Sequence, residues 1–180
     1  MKALLMIDIQ NDYFPGGRMP LENTRIAAEN ARSLLEKFRQ NLQTIIHIQH
    51  TSIRPGAIFL VPGTVGAEIH PLVSPAEGEV VFVKHFPNSF RGTDLLGYLK
   101  SKDITDLVVC GMMTHMCVDS TVRAAFDLGF NCTLIEDACT TRALTYGNKT
   151  VEAEIVHDVF VSALGPIFAR VMTTQNYLGL

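Results

Sequence analysis

Residues 107–129 read LVVCGMMTHMCVDSTVRAAFDLG, and they are the part of the chain most informative about its architecture. Leu107–Cys110 is a short apolar run, typical of a buried strand. Met116–Leu128 follows with apolar residues at helical spacing, with Thr114 as the expected N-cap and Gly129 as the residue that ends the helix. A strand that passes through a tight turn into a helix is the repeating unit of a parallel α/β sheet.

The same alternation of strand and helix continues on both sides of this stretch. Further strands are predicted at Ala3–Ile7, Thr44–Ile48, Val80–Val83, Cys132–Ile135 and Val159–Val161. Further helices are predicted at Leu21–Arg39, Thr93–Leu99, Lys149–His157 and Leu164–Met172. The pattern indicates a parallel sheet with helices on both faces. Because no internal repeat or linker interrupts it, residues 1–180 are expected to form one domain.

The segment Thr51–Glu79 does not follow the alternation. It contains four prolines and four glycines and has no clear helical or strand period. A loop of this length inside a compact domain is usually functional. Its apolar residues, Ile53 and Ile58–Val61, predict that it folds over a ligand site or over a neighbouring subunit.

The composition is apolar, with 47% hydrophobic and 18% charged residues. A parallel sheet buried on both faces accounts for part of this, and a subunit interface accounts for the rest, so we expect a homo-oligomer, either a dimer or a tetramer. The formal net charge is −3, and lysines and arginines are scattered. This charge pattern argues against binding to nucleic acid or to an anionic membrane, which leaves a small molecule as the expected partner.

The N-terminal apolar run, Ala3–Ile7, is shorter than the core of a signal peptide and far shorter than a membrane span. The protein is therefore expected to be cytoplasmic. In that reducing compartment the four cysteines, Cys110, Cys117, Cys132 and Cys139, are expected to be free thiols.

Three chemically active side chains follow directly on predicted strands. Asp8 ends the first strand, Lys84 ends the strand Val80–Val83, and Cys117 opens the helix after Leu107–Cys110. Ligands of open parallel sheets bind outside the carboxyl ends of the strands. In this arrangement Asp8 can accept the thiol proton, Lys84 can balance the charge, and Cys117 can attack a carbonyl carbon.

Cys117 differs from the other three cysteines in its placement. It alone lies on a strand–turn–helix elbow, the geometry that presents a nucleophile at the top of an α/β sheet. A thiol in a first helical turn is close to free N–H groups and to the positive end of the helix dipole, so the thiolate is expected to be favoured. The N–H groups of the elbow can also bind an oxyanion. Cys110, Cys132 and Cys139 are expected to be buried and inert.

The chain resembles the isochorismatase-like cysteine hydrolases. The resemblance lies in LMIDIQND at residues 5–12, in Lys84 after its strand, and in GMMTHMCV at residues 111–118. It extends through the spacing of Cys117, Thr121, Arg123, Ala125 and Leu128-Gly129 to Asp137-Ala138. These motifs occur in the same order as in the family and span about residues 3 to 172.

The resemblance implies a three-layer α/β/α fold with a six-stranded parallel sheet of order 3-2-1-4-5-6. It implies a catalytic triad of Asp8, Lys84 and Cys117. It also implies a cis peptide between Met112 and Met113, which would direct the N–H of Met113, together with that of Cys117, at the oxyanion.

The chain departs from the nicotinamidase-like branch of this family, whose members bind a metal through an Asp-x-His pair and a further histidine. Here the corresponding region reads HIQHTS at residues 47–52, without the aspartate, and His70 stands alone. No metal and no cofactor are therefore expected. His50 is instead expected to form a polar wall of the substrate pocket or to be a hydrogen-bonded structural histidine. The residues that flank the strand ends of Asp8 and Lys84 are expected either to line the pocket or to pack within their loops; they are Phe14, Phe86, Asn88 and Phe90.

The predicted activity is hydrolysis of a C–N bond in a small amide, carbamoyl or imide-like substrate through a thioester intermediate. Members that hydrolyse the vinyl ether of isochorismate lack the cysteine, so the presence of Cys117 argues against that alternative. A second alternative is a binding protein that has lost catalysis. The retention of Asp8, Lys84 and Cys117 argues against it.

Overall fold

The computed structural model describes residues 1–179, which form an α/β structure around one parallel sheet. The strands are β1 (Lys2–Ile7), β2 (Thr44–His50), β3 (Val80–Lys84), β4 (Asp106–Met112), β5 (Asn131–Thr140), β6 (Leu144–Tyr146), β7 (Lys149–Val151) and β8 (Arg170–Met172). The sheet has the order β3-β2-β1-β4-β5-β8 and all its pairs are parallel. The predicted six-stranded order is confirmed, with β8 as the sixth strand. β6 and β7 form a separate antiparallel hairpin.

Helices cover the sheet. They are α1 (Thr24–Gln40), α2 (Leu95–Ser101), α3 (Asp119–Asp127), α4 (Ala153–Leu164) and α5 (Thr174–Leu178). The central strand β1 is buried from Ala3 to Ile7, which explains its continuous apolar sequence. On the long helix α1 the buried residues follow helical spacing, so one face packs on the sheet while arginines and glutamates occupy the other.

The prediction for the C-terminal strand is wrong. Val159–Val161 lies inside α4, and the last strand of the sheet occupies Arg170–Met172, where a helix was predicted. Short runs of valine do not distinguish a strand from a buried helix. Burial in α4 follows the helical period, since Val156 and Leu164 are buried whereas Val159 is 58% exposed.

The helix after the elbow begins differently from the prediction. Residues Thr114–Val118 form a single π-helical turn, and α3 starts only at Asp119. Thr114 does not cap the helix; its hydroxyl pairs with Nδ1 of His157 on α4 at 2.9 Å. The elbow is therefore fixed against α4 by a side-chain hydrogen bond.

The long loop after β2 is held by side chains that follow β1. It contains two short 3-10 turns, Val65–Ala67 and Pro71–Val73. Gln10 donates to the carbonyls of His50 and Ala67 at 2.8 and 2.6 Å. Asp12 accepts from the backbone N–H of Leu60 at 2.7 Å. Because buried side chains bind its backbone, the loop is an ordered part of the fold.

Within residues 1–179, none of the helices combines the length and the apolar character that crossing a bilayer requires. All four cysteines are buried and free, as their expected thiol state requires. Several large apolar side chains remain exposed on this chain, including Ile155 and Val159 of α4 at 54% and 58%. The homo-oligomer stays a prediction.

Candidate active site

Three strand ends bring Asp8, Lys84 and Cys117 together. Asp8 follows β1, Lys84 is the last residue of β3, and Cys117 lies in the π turn after β4. Close approach of β4 to β1 requires Gly111. This glycine has φ +130°, and a Cβ there would lie 2.0 Å from the carbonyl oxygen of Ile7. Any larger residue would push the elbow away from Asp8.

The ammonium group of Lys84 contacts three acceptors at once. Its Nζ donates to Oδ2 of Asp8 at 2.6 Å and to Sγ of Cys117 at 3.2 Å, and it lies 3.0 Å from Nδ1 of His50. The side chains of Lys84 and Asp8 are both 0% exposed. An ammonium has three N–H groups, so these contacts use its full donor capacity.

Burial and the neighbouring charges together favour a charged Lys84 and a neutral Cys117 thiol. Burial alone would lower the pKa of Lys84, but the charges and hydrogen bonds of Asp8 and Cys117 together outweigh it and raise that pKa above its ordinary value. Burial raises the pKa of Cys117 well above that of a free thiol, and the charge of Asp8 raises it further. The expected preference for thiolate is therefore wrong for the free protein, because the single cation is already paired with Asp8.

His50 is neutral and its tautomer is fixed. Burial, together with the charge of Lys84, lowers the pKa of His50 to about 4. Because an ammonium can only donate, Nδ1 of His50 must be the acceptor in their contact, and its proton therefore resides on Nε2. Both backbone groups of His50 pair with the Gln10 side chain, which fixes the position of the ring.

One oxygen of the buried pair is left without a hydrogen bond. Oδ1 of Asp8 has no partner within residues 1–179, although it is inaccessible to solvent. A carboxylate oxygen of Asp8 and Sγ of Cys117 lie within 4.8 Å of each other. A buried acceptor with spare capacity beside a protonated thiol is suited to receive its proton.

The arrangement does not fit a metal ion. Asp8, His50 and Cys117 offer an oxygen, a nitrogen and a sulfur within 4.8 Å of one another, which are ligand types that a divalent ion accepts. The ammonium of Lys84, however, contacts all three and carries the positive charge itself. A metal ion bound by the same atoms would face this cation directly.

The other two histidines that were compared with the metal ligands of nicotinamidases, His47 and His70, contact groups away from Cys117. His47 is buried and pairs with Glu79 at 2.9 Å. His70 stacks on Phe14 at 3.6 Å between ring centroids and accepts from the N–H of Leu72. Neither belongs to the group of potential ligands around Cys117.

A cavity of about 530 Å³ opens above Cys117. Its walls come from the segments after β1, β2, β3, β4 and β5, so it lies at the carboxyl ends of the strands, as expected for this architecture. The loop after β2 contributes Ser52–Pro55 and Phe59-Leu60. The loop therefore covers the site of its own chain, and its apolar residue Leu60 is buried there.

Of the predicted pocket residues, His50 and Phe86 line this cavity, whereas Phe14, Asn88 and Phe90 do not. Phe14 turns away to stack on His70. Asn88 uses its side-chain oxygen to accept from the N–H of Phe90, whose ring stacks on Phe130. Proximity to a strand end in sequence does not determine which way a loop side chain points.

Sequence reasoning missed several lining residues, among them Tyr13, Arg54, His85 and Arg142. Tyr13 is 2% exposed, and burial with the charges of Cys117 and Asp8 raises its pKa well above the ordinary value. Its place five residues after Asp8 was the only available signal. Arg142 follows β5, and nothing in its local sequence distinguishes it from a surface arginine.

The remaining predicted site residues, Met112 and Met113, lie where β4 passes into the turn that bears Cys117. The peptide bond between Met112 and Met113 is cis. Met113 and Cys117 both line the cavity, as the proposed binding of an oxyanion by their N–H groups requires. The neighbouring His115 does not reach the cavity lining; it bonds to the hydroxyl of Thr141 and packs edge-on against Phe160.

Comparison with known proteins places this geometry in a family. The model of the isochorismatase domain matches residues 2–176. The isochorismatase family protein YddQ of Bacillus subtilis is 51% identical over 98% of both chains. A solved structure from Oleispira antarctica, named for isochorismatase hydrolases, is 45% identical, with a TM-score of 0.95 over 99% of this chain and 96% of its own.

A relative with a named substrate is more distant. A streptothricin hydrolase of Streptomyces noursei is 34% identical over 78% of this chain and 50% of its own length. The domain match covers nearly the whole chain, and the first of these relatives is similar from end to end. The chain therefore belongs to the isochorismatase family of hydrolases.

Proposed function

We propose that this protein is a cysteine hydrolase that cleaves a C–N bond of a small amide, carbamoyl or imide-like substrate through a thioester. The observation that carries the proposal is the buried contact of the Lys84 ammonium with both Asp8 and Cys117, at 2.6 and 3.2 Å. The relationship to a streptothricin hydrolase is consistent with hydrolysis. The cavity of about 530 Å³ above Cys117 supports a small substrate.

The first half-reaction begins from the neutral thiol. As Sγ of Cys117 attacks the carbonyl carbon, its proton passes to Asp8, and Lys84 remains charged beside both groups. The N–H groups of Met113 and Cys117 bind the oxygen that becomes negative. Collapse of this intermediate breaks the C–N bond, and the departing amine takes the proton from Asp8.

The second half-reaction returns the enzyme to its starting state. Asp8 removes a proton from water, which attacks the thioester carbon. The acid product leaves, and Sγ of Cys117 recovers its proton from Asp8. The net reaction consumes one water and yields one amine and one acid, so the three residues act without an external reductant or oxidant.

A trapping experiment tests the covalent step. The wild-type protein is incubated with a panel of small primary amides and carbamoyl compounds, and ammonia release identifies those that turn over. Acid quenching followed by peptide mass spectrometry should find the acyl group on the peptide that contains Cys117. Added hydroxylamine should divert the thioester to a hydroxamate. Ammonia release with neither an adduct nor a hydroxamate contradicts the proposal.

A further inference from the structure

The cavity above Cys117 has positive groups in its wall and no carboxylate. Arg54 and Arg142 line it, and no aspartate or glutamate in the described part of the chain does so. Neither arginine forms an ion pair within residues 1–179. The carboxylate of Asp8 lies below the cavity floor and is already neutralised by Lys84.

The two guanidinium groups reach the cavity from different parts of the fold. Arg54 belongs to the loop after β2, and Arg142 follows β5 on the other side of β1 and β4. Burial is the main cause of the raised pKa of Tyr13 and of the lowered pKa of His50, and the arginines add small contributions: Arg142 opposes the first shift, and Arg54 adds to the second. Both positive charges are therefore within electrostatic reach of the groups that surround the reacting thiol.

We propose that the substrate carries a carboxylate in addition to its scissile C–N bond, and that Arg54 and Arg142 bind this carboxylate. The proposal rests on the proposed hydrolase function and names its substrate class. A guanidinium pairs with a carboxylate through two parallel N–H···O bonds, which orients the ligand as well as attracting it. A cavity of about 530 Å³ accommodates a molecule with both groups.

A matched pair of ligands tests this through binding alone. Succinamate and butyramide are primary amides of equal chain length that differ by a carboxylate in place of a methyl group. With the Cys117→Ala protein, which cannot form the thioester, calorimetry should find succinamate bound at least about tenfold more tightly. Since both arginines are exposed, this advantage should shrink as the salt concentration rises.

Substitution of the arginines assigns the effect to them. In the Cys117→Ala background, Arg142→Gln should lower the affinity for succinamate by about three- to tenfold and leave butyramide unchanged. Arg54→Gln should act in the same direction. Arg170→Gln is the matched control, because it removes the same charge from an exposed position on the edge strand β8 and should change neither affinity.

The outcomes separate this proposal from the hydrolase function. Equal affinity for the two amides, no measurable binding of succinamate, or unchanged binding in both arginine variants overturns the carboxylate proposal. Ammonia release from the wild-type protein is measured on the same two amides. A binding preference for succinamate without any ammonia release supports the carboxylate site and counts against hydrolysis of this amide. Hydrolysis of both amides without a binding preference supports the hydrolase function and overturns the carboxylate proposal.

Discussion

Strand β2 contributes one histidine to each of two charged clusters, one with a partly exposed ion pair and one with a fully buried ion pair, and the clusters differ in how fully their carboxylate is hydrogen-bonded. The Glu79 cluster consists of Glu79, Arg39 and His47, and the Lys84 cluster consists of Lys84, Asp8, His50 and Cys117. Arg39 binds both oxygens of Glu79, at 2.6 and 2.9 Å, and the second oxygen also accepts from His47 and from a backbone N–H. In the Lys84 cluster, Oδ1 of Asp8 has no partner within residues 1–179.

The difference indicates what each cluster is built for. A carboxylate with both oxygens hydrogen-bonded is a structural element, since proton transfer to it would weaken existing bonds. A buried carboxylate with an empty acceptor position carries an energetic cost, and that cost is typical of a site at which a proton arrives during the reaction. The two clusters should therefore respond differently to substitution, one in stability and the other in turnover.

The largest effect is expected at the nucleophile. Cys117→Ala should lower turnover at least about a thousandfold, because the thioester can no longer form. Thermal unfolding should change little, since only one sulfur is lost. Cys139→Ala, which removes another buried thiol, is the matched control and should retain turnover. A Cys117→Ala protein with near-normal ammonia release contradicts covalent catalysis by this residue.

Lys84→Met should damage both properties. Turnover should fall at least about a hundredfold, a rise of roughly 3 kcal/mol in the barrier, because nothing then balances the charge of Asp8 and Cys117. Methionine preserves much of the side-chain volume but leaves the Asp8 carboxylate buried without a cation, which costs about 3–5 kcal/mol of stability. Steady-state kinetics and urea unfolding measure the two effects. Unchanged values in both would show that the ion pair has no catalytic or structural role.

Glu79→Gln should lower the free energy of unfolding and leave turnover nearly unchanged. The neighbouring Arg39 and His47 and a backbone N–H overcome the effect of burial and lower the pKa of Glu79 to about 2, from 4.5. A lowered pKa means that this contribution, about 2–3 kcal/mol, is complete above pH 4.5 and is lost as the pH falls toward 2. At neutral pH the variant should unfold at lower urea concentration with turnover within about twofold of wild type.

The loss of stability at acidic pH provides the control for the Glu79→Gln prediction. Wild type should lose stability between pH 4.5 and about 2 more steeply than Glu79→Gln, because the variant has no carboxylate to protonate. Parallel profiles, or a large loss of turnover in Glu79→Gln, would remove the distinction between the two clusters.

The sequence placed the backbone of the candidate catalytic residues Asp8, Lys84 and Cys117 better than their surroundings. Asp8 and Lys84 could be located because each ends an apolar strand, and parallel strands bring their ends to one edge of the sheet. The pocket could not be located in this way. Phe14 and Phe90 lie near those strand ends but point away from the cavity. Arg142 lies two residues after the observed end of β5, but the predicted strand Cys132–Ile135 ends seven residues before it, so its place at a strand end could not be recognised.

The protonation state of Cys117 could not be predicted from the sequence either. The elbow suggested a thiol activated by the positive end of a helix, but the segment that bears Cys117 is a π turn ahead of α3. The charges that determine its pKa, Asp8 and Lys84, lie 109 and 33 residues away along the chain. Their net effect depends on burial and on distances between side chains, which only the folded chain defines.

The smallest expected effect is a shift in the pH at which Cys117 reacts. It distinguishes the thiolate that the sequence predicts from the neutral thiol that burial and the charge of Asp8 favour. Iodoacetamide reacts with the thiolate, so a raised pKa means a smaller reactive fraction at any given pH. The labelling rate of Cys117 should keep rising above pH 8.5, the approximate pKa of a free thiol, because burial and Asp8 both disfavour the thiolate.

Two variants should move this pH profile of labelling in opposite directions. Asp8→Asn removes the opposing negative charge and should move the profile to lower pH. Lys84→Met removes the favourable cation and should move it to higher pH. Peptide mass spectrometry separates Cys117 from Cys110, which is 0% exposed and should stay unlabelled in the folded protein. A wild-type rate that levels off below pH 8.5 would mean that the resting enzyme already holds a thiolate, with the proton on Asp8 before substrate arrives.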